Sequence, residues 1–300
     1  MHFIILILLI SLQGLISVQA ASEVTAPKTL NTPKTIFLVP GYFNSYITSL
    51  SLNQFSYFSS AIVQSFKQAG FRVFIVNNLK PTAGVKENGE RLIQYLRAAT
   101  RLSSKNEEYI LVGHSAGGLY SLYAAQKNEF PIRKIVTIST PFLGLQLIDN
   151  LDEYNVPTQT IVDLLSWESV LGFRSKNIRN FLTSLKFQKS FHIESFAGFQ
   201  KNGNDPLNAR QLSWPFVFTH NIIGQPSDGI VDIQSSLGLK NLSTSSGEKI
   251  PITLHDETLK LDHWEQVLDA QIFDLMGVTN PQYILNQQIQ FYKQLATDLR

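Results

Sequence analysis

The residues best suited to covalent chemistry lie in the segment Gly113-His114-Ser115-Ala116-Gly117-Gly118, which matches the pattern G-x-S-x-G. This segment directly follows the apolar run 109–112 and precedes a helical pattern, so it predicts a tight turn from a strand into a helix. In such a turn the glycines let strand and helix approach closely, and the serine is held in a strained conformation at the positive end of the helix dipole. We interpret Ser115 as a catalytic nucleophile.

A serine nucleophile needs a base to take its proton and an acid to orient that base, and after this kind of turn both follow the serine in the chain. Asp228 precedes a glycine in a turn directly after the apolar segment 216–223, which is predicted to be a strand. We therefore prefer Asp228 as the acid. Asp205 and Asp232 are the alternatives.

The base has two candidates, His263 and His255. His263 directly precedes a helical pattern, and a loop that turns into a helix can hold an imidazole over the sheet edge, so His263 is preferred. His114 is interpreted as structural support behind the turn. His192 and His220 fall in predicted strands before Asp228 and are interpreted as non-catalytic.

Acyl transfer also needs N–H groups aimed at the carbonyl oxygen, where negative charge develops. The amide of Ala116, next to the nucleophile, is one predicted donor. The other is Tyr42 in the turn Pro40-Gly41-Tyr42-Phe43, which ends the first apolar run of the core. The alternative is that this segment is a turn without a catalytic role.

Apolar runs alternate with helical patterns along the first half of the chain, which predicts a mostly parallel sheet covered by helices on both faces. Strands are predicted at 35–39, 71–76, 109–112, 132–138, 191–196, 216–223 and 250–254. Helices are predicted at 55–69, 86–101, 119–127, 265–276 and 281–299.

A helical cap or lid insertion is predicted at about 146–190, where strand signals are missing. Ile178, Phe181, Leu182 and Leu185 would form one apolar helix face, and the opposite face is cationic. This pattern suits a lid over an acyl pocket that contacts a lipid surface. The alternative is a cap helix whose apolar face packs permanently on the core.

The first twenty residues contain no charged side chain and end in Val18-Gln19-Ala20, which predicts a signal peptide cleaved after Ala20 and a secreted or periplasmic protein. An uncleaved anchor or a buried helix are the alternatives. Residues 21–34 are predicted to be a flexible lead-in, and residues 35–300 a single domain that contains the insertion.

Composition excludes several classes of function. The net charge of +2 comes without a run of five basic residues, so no nucleic-acid partner is predicted. The chain has no cysteine, which excludes a cysteine nucleophile, Cys-ligated zinc and iron–sulfur clusters. The predicted chemistry requires no cofactor.

The chain resembles α/β-hydrolases of the bacterial triacylglycerol lipase type. The motifs that carry the resemblance are Leu38–Tyr42 (family V-H-G-h), Val112–Gly118 (V-G-H-S-x-G-G), Ser139–Gly144 (T-P-H-x-G), Asp228–Val231 (D-G-L-V) and Asp262–Glu265 (N-H-L-D). Pro40 and Phe142 stand where the family has histidines. The resemblance implies the α/β-hydrolase fold, a Ser115–His263–Asp228 triad, and a lipid or ester substrate met in transient contact with a lipid interface.

Two further implications of the resemblance stay open. Many lipases of this type hold a structural calcium ion, for which Asp205 and Glu265 would be the candidates, although no metal site is predicted. A short-chain carboxylesterase, a thioesterase or a lysophospholipase would use the same residues. A non-catalytic lipid-binding protein on the same fold is the alternative from another class.

Overall fold

The computed structural model describes residues 34–42, 56–101, 107–150, 168–199, 222–275 and 280–300. At 256–258, 274 and 275 only the backbone is described. The predicted signal peptide and the part of the predicted insertion at 151–167 lie outside these residues, as do Asp205 and His220.

A seven-stranded sheet forms the centre of the molecule, with strand order β2-β1-β3-β4-β5-β7-β6. All neighbouring strands are parallel except β6, which pairs antiparallel with β7. The strands are β1 Lys34–Val39, β2 Arg72–Ile75, β3 Glu108–His114, β4 Ile132–Ile138, β5 His192–Gly198, β6 Asn241–Ser243 and β7 Lys249–Leu259.

Helices cover both faces of this sheet. They are α1 Ser60–Gln68, α2 Val85–Thr100, α3 Ala116–Ala125, α4 Gln146–Asn150, α5 Ser175–Ser184, α6 Ile233–Leu237, α7 Ala270–Leu275 and α8 Pro281–Asp298, with a 3-10 helix at Glu168–Phe173. Apolar residues of α2, α3 and α5 share one buried cluster, and those of α1, α7 and α8 share the other.

The runs 36–39 of β1 and 109–112 of β3 are apolar because both of their faces are buried. In β1, Phe37 and Val39 belong to one cluster, while Ile36 and Leu38 belong to the other. Since successive side chains of a strand point to opposite faces, this alternation places one core on each side of the sheet. The predicted mostly parallel sheet, covered by helices on both faces, is therefore confirmed.

Several predicted boundaries differ from the structure. Ile222 and Ile223, predicted to end a strand, are helical, because a short buried apolar run fits either state. The helix predicted from residue 55 begins at Ser60, where the Ser59 hydroxyl accepts from the amide of Ile62. The helix predicted from residue 265 begins at Ala270, because residues 265–268 form turns and a bend.

The helix α5 of the predicted insertion is packed on the core. Ile178 is fully buried and Phe181 is 7% exposed. The Phe181 ring stacks on Tyr123 of α3, with ring centroids 6.4 Å apart. The lid interpretation expects a free apolar face on this helix. In the structure this face packs on the core, as the alternative of a cap helix expects, and α5 lies in the connection between β4 and β5.

Candidate functional site

Ser115 lies in a sharp turn between β3 and α3. Its backbone has φ 55° and ψ −130°, a conformation that side chains with a Cβ rarely adopt and that costs on the order of 1–3 kcal/mol. The surroundings hold it there: the Ser115 amide donates to the carbonyl of Ile138 at 2.8 Å, and the Thr140 hydroxyl donates to the Ser115 carbonyl at 2.9 Å. A Cβ on Gly117 would overlap the carbonyl oxygen of Val39, so the turn requires glycine there.

Asp228 and His263 meet in a buried pair. His263 Nδ1 lies 2.8 Å from Asp228 Oδ2, and the His263 amide donates to the Asp228 carbonyl at 3.0 Å. The other carboxylate oxygen, Oδ1, accepts from the amides of Ile230 at 3.0 Å and Val231 at 2.8 Å. Both oxygens are thus held, and the ring of His263 is fixed with Nε2 as its remaining nitrogen.

The environment of Asp228 favours the carboxylate. Burial raises the pKa of Asp228, but the charge and hydrogen bond of His263, with donors at Val231 and Ser139, outweigh it and hold the pKa below its ordinary value. The carboxylate is therefore the form that faces the imidazole at neutral pH. In this form it stabilises a protonated His263.

His263 packs against His114, which lies next to the nucleophile in the turn between β3 and α3. The ring centroids of the two histidines are 4.6 Å apart, and His114 directly precedes Ser115. His114 is fully buried, and its Nδ1 lies 2.7 Å from the hydroxyl of Tyr57. Burial, and next the charge of His263, lower the pKa of His114 far below its ordinary value. A neutral His114 packed behind the nucleophile agrees with its interpretation as a structural residue.

The turn that carries His263 closes on itself. Asp262 Oδ1 accepts from the amides of Trp264 at 3.0 Å and Glu265 at 2.9 Å, while Glu265 Oε2 accepts from the amide of Asp262 at 3.0 Å. Glu265, the candidate calcium ligand, thus serves as a partner within this turn. Among the described residues, no group of three His, Cys, Asp or Glu side chains could hold a metal ion.

The alternative residues occupy other positions. Asp232 caps α6, where its Oδ1 accepts from the amide of Ser235 at 2.6 Å. His255 stacks on Phe196, with ring centroids 4.0 Å apart, and its Nε2 lies 3.4 Å from a carboxylate oxygen of Glu194. His192 begins β5 and is exposed.

The predicted oxyanion turn lies against the nucleophile. A Cβ built on Gly41 would stand 2.7 Å from Ser115 Cβ, so the chain can pass here only as glycine. The next residue, Tyr42, is anchored by its side chain: its hydroxyl lies 2.6 Å from Ser169 Oγ, and its ring meets Phe173 edge-on with centroids 5.3 Å apart. Ala116 begins α3 and is buried.

One residue of this site is missed by the sequence reasoning. Gln266 is fully buried, and its Nε2 donates to Asp228 Oδ2 at 2.9 Å. Its spacing, three residues after His263, places it in the same turn, but a glutamine at the start of a helical pattern resembles an exposed helix residue. The signal available in the sequence is only that spacing.

Comparison with known proteins agrees with the fold. Residues 34–167 match the family model described as alpha/beta hydrolase fold. A mature lipase of Bacillus licheniformis, BlEst2, is 18% identical, with a TM-score of 0.54 over 81% of this chain and 89% of that one. EstA from Clostridium botulinum is 14% identical, with a TM-score of 0.56 over 87% and 88% of the two chains.

A metagenomic carboxyl esterase is 13% identical, with a TM-score of 0.58 over 91% of this chain and 79% of that one. At these identities the likeness concerns the fold. In the part of the chain that the structure describes, no helix is both long and apolar enough to span a membrane.

Proposed function

From the α/β-hydrolase fold of the chain we propose that it is a serine hydrolase of carboxylic esters, acting as a triacylglycerol lipase. The observation that carries the proposal is the buried His263–Asp228 pair, which lies against the residue preceding the strained Ser115. A nucleophile, a base and an orienting acid are the parts that ester hydrolysis by a serine requires.

In the proposed reaction, Ser115 Oγ attacks the ester carbonyl carbon while His263 Nε2 takes the hydroxyl proton. Asp228 keeps the imidazole in the tautomer with Nδ1 protonated and stabilises the imidazolium. The amides of Ala116 and Tyr42 stabilise the oxyanion, with an effect of about 3 kcal/mol per donor in comparable sites.

Collapse of this intermediate expels the alcohol, which takes its proton from His263, and leaves an acyl group on Ser115. Water then attacks the acyl carbon as His263 accepts its proton. The carboxylic acid leaves, and Ser115 regains its hydrogen from His263. Every proton transfer passes through one imidazole, so no cofactor is needed.

Leu143 supports a substrate with an apolar acyl group. Its side chain is 46% exposed, and among the described residues no other large apolar side chain is exposed. It follows β4, the strand whose Ile138 carbonyl binds the Ser115 amide. The structural neighbours named a lipase and a carboxyl esterase agree with an ester substrate.

The proposed contact with a lipid interface is electrostatic. Because the apolar face of α5 is buried, the groups available to an anionic surface are the exposed cations of α5 and of the segment that follows it: Lys176 and Arg179 in the helix, and Lys186 and Lys189 after it. Anionic vesicles should sediment the protein and zwitterionic vesicles should not, and alanine at Lys176 and Arg179 should weaken the effect.

Export is part of the proposal, because Val18-Gln19-Ala20 supplies the small residues that precede a signal-peptidase cut. The mature protein should then begin at Ala21. Intact mass of the protein recovered outside the cytoplasm tests this, and a mass that includes Met1 overturns it.

The catalytic proposal is tested with a fluorophosphonate probe and a series of esters. The probe should label the native protein and the Ser121→Ala control, whose serine is buried in α3, and should not label Ser115→Ala. Hydrolysis should rise from butyrate to octanoate esters, since each buried CH₂ contributes about 0.8 kcal/mol, and should increase again when substrate forms droplets.

A profile that peaks at acetate without a response to droplets would replace the lipase assignment with a short-chain carboxylesterase. Preferred thioesters or lysophospholipids would indicate those activities on the same triad. Unlabelled, inactive native protein that still binds lipid would overturn the enzyme assignment.

A further inference from the structure

Gln266 is a buried amide attached to the centre of the site. It is fully buried, and its Nε2 donates at 2.9 Å to Asp228 Oδ2, the oxygen that also lies 2.8 Å from His263 Nδ1. Two donors therefore converge on one carboxylate oxygen, one from the proposed base and one from Gln266.

Room for this amide is provided by the end of β5. A Cβ on Gly198 would overlap Gln266 Nε2 and would stand 3.1 Å from Asp228 Cβ. Any larger residue at Gly198 would push the amide away from the carboxylate. The sheet is thus shaped around the Gln266 side chain.

The backbone of Gln266 is fixed independently of its side chain. Its amide donates to the Asp262 carbonyl at 3.2 Å, and its carbonyl accepts from the Tyr292 hydroxyl of α8 at 3.1 Å. Because the backbone N–H and C=O of Gln266 are both hydrogen-bonded, the side chain has little freedom to leave Asp228.

We infer that Gln266 is a positioning residue for the proposed triad: its Nε2–H aims Asp228 Oδ2 at His263 and takes up part of the carboxylate's negative charge. The inference deepens the proposed function and depends on it. Gln266 is not one of the proposed reacting groups, and the inferred effect is exerted through Asp228.

Titratable groups surround this arrangement on several elements. His114 lies on β3 beside the His263 ring, and Asp232 at the start of α6 acts on Asp228 through its charge. Tyr57 faces His114, and Tyr292 binds the Gln266 carbonyl. No charged group is added or removed when the Gln266 side chain is replaced by another neutral side chain.

The test compares Gln266→Met, which keeps the length of the side chain and removes its N–H donor, with Gln288→Met. Gln288 is also fully buried, and its Nε2 donates at 2.7 Å to the carbonyls of Glu265 and Leu268. It supports the same turn without touching Asp228, so it is the matched structural control.

Gln266→Met should lower kcat roughly tenfold, with KM little changed, because a hydrogen bond to a charged group is lost. The acid limb of its pH–rate profile should move to higher pH, since Asp228 then concentrates more negative charge on His263 and favours the imidazolium. Gln288→Met should lower the unfolding temperature, and the acid limb of its pH–rate profile should lie at the same pH as in the native protein.

A second readout does not need turnover. In ¹H NMR the far-downfield proton shared by His263 Nδ1 and Asp228 should shift in Gln266→Met and stay in place in Gln288→Met. If Gln266→Met does not fold, Gln266→Asn, whose amide is one methylene shorter, should shift the proton and the limb in the same direction.

The inference would be overturned if the native protein is active and a folded Gln266 variant keeps both the acid limb of the pH–rate profile and the chemical shift of the His263–Asp228 proton unchanged. A native protein without turnover or probe labelling would instead overturn the proposed function, and the NMR comparison would still report on the pairing of Gln266 with Asp228.

Discussion

His263 is joined to Asp228 twice, once through the backbone and once through the side chains. Its amide donates to the Asp228 carbonyl at 3.0 Å, and its Nδ1 lies 2.8 Å from Asp228 Oδ2. The two loops that carry these residues are therefore locked in register, and neither loop can move without breaking the pair. Precise placement of the imidazole follows from this double link rather than from either loop alone.

Asp228→Asn should reduce kcat by up to about 10⁴-fold, because an amide in this position stabilises the wrong tautomer of His263. Asp232→Ala is the matched control: it should leave kcat nearly intact and lower the free energy of unfolding by about 0.5–2 kcal/mol through loss of the α6 cap. Ester hydrolysis and urea unfolding measure the two effects. Near-native activity of Asp228→Asn would disprove the assignment of the acid.

His263→Ala should cost on the order of 10⁶ in kcat, as loss of the base does in comparable triads. His255→Ala should have little effect, since His255 packs on Phe196 and faces Glu194. Initial rates with a soluble ester, together with circular dichroism as a check on folding, separate the two. The reverse result would make His255 the base.

The parts of the fold that are predictable from sequence are those with strong local signals. Continuous apolar runs predict β1 and β3, and the glycines around Ser115 predict the strained turn, because both signals lie in neighbouring residues of the sequence. The extent of the run 216–223 is less predictable, since burial of Ile222 and Ile223 suits a helix as well as a strand.

Long-range contacts are the part of the site that sequence reasoning cannot supply. The Gln266–Asp228 bond joins residues 38 positions apart, and no local pattern encodes it. The burial of α5 is similar: its amphipathic pattern is the same for a lid and for a crossover helix. The contact of this helix with Tyr123 of α3 is visible only in the structure.

His114 should make stability depend on pH. Its folded-state pKa lies far below that of the unfolded chain, so stability is fully present above about pH 6.5 and is lost as pH falls toward the folded pKa. The slope for one proton is at most about 1.4 kcal/mol per pH unit. His114→Asn, which does not titrate and keeps an acceptor for Tyr57, should flatten this dependence. Urea unfolding of both proteins from pH 5 to 7.5 measures it, and equal slopes would contradict the prediction.

Tyr42→Phe should lower kcat several-fold with little effect on KM, because the proposed oxyanion turn loses its hydroxyl anchor to Ser169 but keeps its ring contact with Phe173. Ser169→Ala removes the partner of the same bond. The double variant should therefore be no slower than either single variant. Additive losses would show that the two hydroxyls act separately.

The last prediction concerns α5. Phe181→Ala should lower the free energy of unfolding by about 3–5 kcal/mol, because Phe181 is nearly buried and stacks on Tyr123. The ratio of activity on droplets to activity on dissolved ester should stay the same, since this side chain fills the core and does not cover the nucleophile. Asn180→Ala, at an exposed position of the same helix, is the control and should change neither quantity. A Phe181→Ala protein of native stability that has lost its response to droplets would restore the lid interpretation of this helix.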